Sequence, residues 1–141
     1  MRIPSKRNIV ILSGFLCLLL IPNLLVRIIP SKARLSLPRS ATEIQEKYYG
    51  CVFYDYFRIL KAKVSEEDYR LFIKNYGSLI KYDPTVHDDL ILVRINRSLC
   101  DAPSWWTDQH VDDGYFISGS NDYFVSVKFI DGYLFYFESR T

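Results

Sequence analysis

No acidic residue occurs before position 40 of this 141-residue chain, although 16 Asp and Glu follow. The cations Arg2, Lys6, Arg7, Arg27, Lys32, Arg34 and Arg39 therefore stand unopposed at the N-terminus. Eleven of the 18 Lys and Arg remain from residue 40 onward, which leaves that part with a formal charge of −5. A basic leader beside an acidic remainder argues against the broad cationic face that nucleic acid requires, so no nucleic-acid partner is expected. Cysteine is scarce: of 3, only Cys51 and Cys100 lie beyond the leader, with no Cys-x-x-Cys pair and no obvious Cys/His pairing to make a nucleophile. A glycine-rich phosphate loop, a Gly-x-Ser-x-Gly elbow, a His-Glu-x-x-His motif, internal repeats and low-complexity tracts are also missing. With these signatures absent, no cofactor is expected.

Residues 9–26 are uncharged and mostly apolar, flanked by Lys6-Arg7 and Arg27. At ~1.5 Å per residue a helix over them reaches ~27 Å, enough to cross a thin hydrocarbon core. Ile28 and Ile29 extend the span if Arg27 snorkels, and Pro22 is tolerable inside it. No Ala-x-Ala-like cleavage site follows promptly, the first passable one being Ser31-Lys32-Ala33, and bulky Leu16 before Cys17 excludes a lipoprotein signal. An uncleaved signal-anchor over residues 1–29 is the expectation, with membrane lipid as partner through residues 9–29; a cleaved signal, leaving a secreted domain, is the alternative. Positive charges balance across the segment, so the expected placement of the domain outside the cytosol rests on the basic-then-apolar leader, which normally directs export. Residues 30–41, with Pro30, Pro38 and several cations, read as a tether over lipid headgroups.

The segment around Asp131-Gly132 organises the remainder. Two β-rich runs flank that pair, and a type I′ turn needs positive φ at both central residues, which Asp tolerates and Gly adopts freely. The register follows: Ile130 opposite Tyr133, Lys128 opposite Phe135, Val127 opposite Tyr136. Upstream, Thr42-Glu43-Ile44-Gln45 fits a capping box, and Tyr48, Tyr49, Val52, Phe53, Tyr56, Phe57, Ile59, Leu60 and Val64 share a half-circle at 100° per residue, which predicts a first helix. A second helix is predicted from the N-cap Ser65 through Tyr69, Phe72, Ile73 and Tyr76, stopping at Gly77 in a left-handed conformation. Residues 90–95 predict an interior strand beside the last one, and Tyr115-Phe116-Ile117 another. The expected fold is α+β: an N-terminal transmembrane helix, then two helices packed on about four antiparallel strands ending in the hairpin, as one extracytoplasmic domain over residues 42–141.

Candidate chemistry is sparse. Cys51 and Cys100 invite a disulfide in an exported domain, which would stabilise by roughly 4 kcal/mol in the chain-entropy model. His87-Asp88-Asp89 and His110-Val111-Asp112-Asp113 could supply imidazole and carboxylate ligands, so a metal-assisted hydrolase using His87, Asp89, His110 and Asp112 is the alternative function; solvated turns explain the same clusters. Asn96-Arg97-Ser98 matches a glycosylation sequon. Trp105-Trp106 after Pro103-Ser104 places adjacent indoles on opposite sides of a loop, one able to plug the core and the other to lie on the surface. On the hairpin face away from Val125 and Leu134, Phe124, Tyr133, Phe135 and Phe137 gather, and part of the Phe135/Phe137 face is expected to stay open. The leading expectation is a non-enzymatic binding or structural module, meeting an unknown protein or a second copy of itself through this aromatic surface and Trp105-Trp106.

Overall fold

A computed structural model describes residues 21, 24–25, 28–50, 55–83, 85–86, 102–106, 114–119 and 123–140. Among the described residues six antiparallel strands form one sheet: β1 (Thr42–Gly50), β2 (Tyr56–Lys63), β3 (Ile80–Lys81), β4 (Tyr115–Ser118), β5 (Tyr123–Ile130) and β6 (Tyr133–Arg140), in the order β1-β2-β6-β5-β4-β3. Among the described residues two short helices lie complete beside it, α1 (Lys32–Leu35) and α2 (Glu66–Tyr76). This mostly-sheet architecture corrects the expected α+β arrangement of two helices on about four strands. No helix among the described residues is long and apolar enough to cross a membrane, which corrects the expected transmembrane signal-anchor helix as far as those residues reach; the run over residues 9–26 lies almost wholly outside them.

The main revision concerns residues 42–64, where a hairpin of β1 and β2 replaces the predicted first helix. Exposure along β1 alternates with the two-residue period of a strand over Glu43 to Tyr48, and Tyr, Phe and Ile suit a pleated surface better than a helix. Gly50 closes β1 at φ 93°, where a Cβ would lie 2.2 Å from the Asp55 carbonyl oxygen, so the strand ends at a position that only glycine fits. The apparent capping box is a strand irregularity: Glu43 takes φ 49° and the register shifts between Thr42 and Gln45. β2 pairs with β6 along eight positions, from Tyr56 opposite Arg140 to Lys63 opposite Tyr133. The place beside the last strand, expected for residues 90–95, thus belongs to β2, and residues 90–95 lie outside those described.

The Asp131-Gly132 turn and the Ser65 cap are as read, whereas the expected left-handed stop at Gly77 is corrected. Asp131 at φ 51° and Gly132 at φ 82° make the tight turn, with Ile130 opposite Tyr133, Lys128 opposite Phe135 and Val127 opposite Tyr136. The Ser65 hydroxyl accepts the Asp68 N–H at 3.1 Å, and Glu66, Glu67 and Asp68 occupy the first turn of α2, where the helix dipole favours them. Gly77 has positive φ but ψ 155°, so it swings the chain into an extended path instead of closing a left-handed cap.

Both faces of the sheet are covered. On one, α2 lays Tyr69, Phe72 and Tyr76 over Leu60, Ala62, Val125, Val127, Leu134 and Tyr136, and Ala33 of α1 joins them. The segment read as a tether, residues 30–41, packs here too through Ala33, Leu37 and Ala41, with Ser31 and Ala33 buried. On the other, Trp106 and Tyr82 cover Ile59, Phe116, Phe124, Phe135 and Phe137. Burying each of the large rings stabilises by roughly 1.5–3 kcal/mol, so both layers are needed to hold the sheet.

Candidate functional site

The expected aromatic surface divides into a buried and a half-buried part. Phe124, Phe135, Phe137 and Trp106 are 1%, 5%, 1% and 7% exposed, which makes them core. The Trp106 ring meets Phe135 edge-on at 5.6 Å, and its backbone N–H donates to the Pro103 carbonyl at 2.8 Å, pinning residues 103–106 across the face. The expectation that the Phe135/Phe137 face stays partly open is corrected accordingly. One helix suffices for the opposite face, because the other predicted helix is part of the sheet, and the Pro103–Trp106 turn covers this side. Trp105 is half-buried, so the two indoles separate into one core ring and one rim ring.

Tyr133 is the other half-buried member, and it gathers a cationic cluster. Lys61 Nζ sits 4.3 Å from the Tyr133 ring centre and Lys63 Nζ 5.9 Å, close enough for cation–π attraction. The Tyr133 hydroxyl donates to Glu43 at 2.7 Å, Lys63 pairs with Glu43 at 3.0 Å, and Lys61 donates to the Trp105 carbonyl at 3.5 Å. The hydrogen bond from Tyr133 and then that from Lys63 hold the Glu43 carboxyl below its usual range. Further along the same face, half-buried Tyr49 and Phe57 stack at 4.3 Å with Lys47 over Tyr49 at 4.6 Å. The strand register sets this pattern, because Lys47, Lys61 and Lys63 share a face with Tyr133 and Phe57.

The helix-covered face carries a polar belt that local sequence patterns do not announce. Glu138 accepts from Tyr56 at 3.1 Å and from Tyr136 at 2.9 Å, and the Tyr136 hydroxyl meets that of Tyr76 at 2.9 Å. Burial, followed by the Glu138 charge, pushes Tyr56 up to about 12 and raises Tyr123 and Tyr136 as well; burial also raises Tyr76. These phenols stay protonated near neutral pH and serve as donors, not as bases. Beside them, Tyr48 stacks on Tyr56 at 5.7 Å, Arg58 lies over Tyr48 at 5.3 Å, and Glu46 stands between Arg58 at 3.8 Å and Arg34 at 3.7 Å. β1-β2-β6 pairing brings these residues together: Tyr48 faces Arg58, and Arg58 faces Glu138. Once Thr42–Gly50 and Tyr56–Lys63 are read as strands, the alternation of Glu46 with Tyr48 and of Tyr56 with Arg58 is the signal for this belt.

His87, His110, Asp88, Asp89, Asp112 and Asp113 lie outside the described residues, as do the Asn96 sequon, Cys51 and Cys100. No group of three or more His, Cys, Asp or Glu placed to hold a metal occurs among the described residues. Compared with known proteins, the chain matches no family model, no curated protein and no solved structure.

Proposed function

We propose that this protein is a non-enzymatic interaction module that binds a protein partner through the aromatic and lysine rim formed by Tyr133, Trp105, Lys61 and Lys63, continuing to Tyr49 and Phe57. The observation that carries this reading is the packing of two ammonium groups around one half-buried phenol. Rings held by neighbours lose little entropy on contact, and the ammonium groups over them favour a partner that presents carboxylates. The protonated tyrosines of the opposite face support holding over proton transfer. Placement of residues 42–141 outside the cytosol, directed by the basic-then-apolar leader, belongs to the same proposal; protease added to intact cells should reach the domain, and protection until lysis would reject that placement.

The Tyr133→Ser, Trp105→Ser double variant of the full chain tests the rim. Crosslinking and sedimentation should show association lost while the unfolding midpoint changes little, and Lys61→Glu should weaken association without touching the core. Association undiminished in both variants would reject the rim as the contact surface; sedimentation of the purified chain alone tells a second copy from a different partner.

A further inference from the structure

We infer that the aromatic and lysine rim takes an extended peptide segment with carboxylates at alternate positions, and that Glu43 fills the place of one of those carboxylates until the segment displaces it. This rests on the rim reading above and specifies the chemistry of its partner. Three ammonium groups set the spacing. Lys63 and Lys61 lie two residues apart on β2, and Lys47 of β1 stands opposite Ile59, two residues further on. At a strand rise of ~3.3 Å per residue they follow one another in steps of ~6.6 Å along the sheet. An extended peptide repeats the side chains of one side at the same interval, so alternate carboxylates meet successive lysines, whereas in a run of adjacent acids every second one turns away. Among the described residues the one ion pair these lysines make is that of Lys63 with Glu43. Lys61 lies 4.3 Å from the Tyr133 ring centre and donates to the Trp105 carbonyl at 3.5 Å, and Lys47 lies 4.6 Å from the ring centre of Tyr49. A ring face and a carbonyl hold an ammonium group in place without neutralising it.

Glu43 answers one of the lysines through contacts that exchange readily. β1 takes three residues from Thr42 to Gln45 where β2 takes two from Lys63 to Lys61, so Glu43 sits in a bulge. Its φ of 49° is a conformation that residues other than glycine adopt at a cost. The bulge aims the carboxylate at the rim, where it accepts from the Tyr133 hydroxyl at 2.7 Å and from Lys63 at 3.0 Å. Both bonds lie in the open, with the Glu43 and Lys63 side chains 54% and 53% exposed, and exposed ion pairs hold weakly. A carboxylate brought by a partner can take both donors while Glu43 turns into water.

The test titrates the full chain, in nonionic detergent at low salt, against short fluorescein-labelled peptides of equal length read by anisotropy. One alternates Glu with Ser, one carries the same residues with all Glu in a block, and one alternates Gln with Ser. The alternating acidic peptide should bind most tightly, the block peptide several-fold more weakly and the Gln peptide not measurably. Glu43→Gln should tighten the alternating peptide roughly threefold, the size expected from removing one exposed competing charge. That gain should vanish in Lys63→Met, which no longer offers the ammonium group for which the two carboxylates compete. Glu67→Gln makes the same change of net charge on α2, across the sheet, and should leave affinity unaltered. A role for Glu43 in holding the bulge alone would instead weaken binding. No measurable binding of the alternating peptide, equal affinity for the block peptide, or a Glu43→Gln variant that does not bind more tightly would overturn the inference. If the Tyr133→Ser, Trp105→Ser variant still loses association in those cases, the rim reading stands without it; if that variant keeps its association, both fall.

Discussion

Tyr136 and Phe137 are consecutive in β6 and both fully buried, yet they enter unlike surroundings. Tyr136 projects under α2, where its hydroxyl reaches Glu138 and Tyr76; Phe137 projects beneath the Pro103–Trp106 turn among Ile59, Phe57 and Phe124. Strand geometry alone separates them, since successive side chains leave a sheet on opposite sides. One face is held partly by directed bonds that fix where α2 sits, and the other by ring contacts that require shape alone. The buried Trp106 Nε1 has no hydrogen-bond partner among the described residues, which emphasises how apolar that second layer is. A sheet covered in this way should respond differently on its two sides to the gain or loss of a single oxygen.

Removing the cover from the ring-packed side should have the largest effect. Trp106→Ala should destabilise by about 3–5 kcal/mol in denaturant unfolding, as large-to-small changes of buried aromatics do; a loss under 1 kcal/mol would mean that this face is not sealed by Trp106. The hydroxyl exchange sharpens the contrast. Tyr136→Phe takes a donor from Glu138 and should cost about 1–3 kcal/mol, while Phe137→Tyr inserts a hydroxyl among rings and should cost a similar amount. Were Phe137→Tyr neutral, the layer would have to contain polar partners. Alkaline titration probes the hydrogen-bonded side. Because folding raises the Tyr56 value from 10.0 to about 12, and those of Tyr76, Tyr123 and Tyr136 in the same direction, their contribution is complete below pH 10 and declines as pH rises through the folded values. Thermal midpoints should fall steeply above pH 10, and less steeply in Glu138→Gln, where a charge opposing the phenolates is gone; equal slopes would remove Glu138 from the account. The smallest effect lies outside both layers. Gly132→Val should cost about 1 kcal/mol, since a β-branched residue resists φ 82° even though a Cβ there meets nothing within 4 Å.

These contrasts were only partly legible in the residues. Asp131-Gly132 and Ser65 followed by Glu66, Glu67 and Asp68 are local signals, and the structure follows them because turn and cap energetics depend on a few adjacent residues. Tyr48, Tyr49, Tyr56, Phe57, Ile59 and Leu60 are ambiguous, since in a sequence this rich in apolar residues they fit an arc at 100° and also fill both faces of two strands. Gly50 resolves the ambiguity, because a positive-φ glycine beside β-rich runs marks a strand end. The Arg34–Glu46–Arg58 group was not legible at all. Its members come from α1, β1 and β2, and only the pairing of those strands brings them to one cleft.

The sheet's two margins bear on how this protein behaves when crowded. A strand with an unoccupied outer edge offers its backbone as a template, and copies can then add one to another without limit. Here β3 contributes two residues, too little to start such a stack, and β1 departs from regular geometry at Glu43 with a register shift before Gln45. The kink turns part of that edge out of line, and charged Glu43 and Lys47 flank what is left. Among the described strands, therefore, neither margin favours recruiting the sheet into fibrils when the protein is concentrated, and contact with another molecule through side chains leaves the backbone ladder as it is.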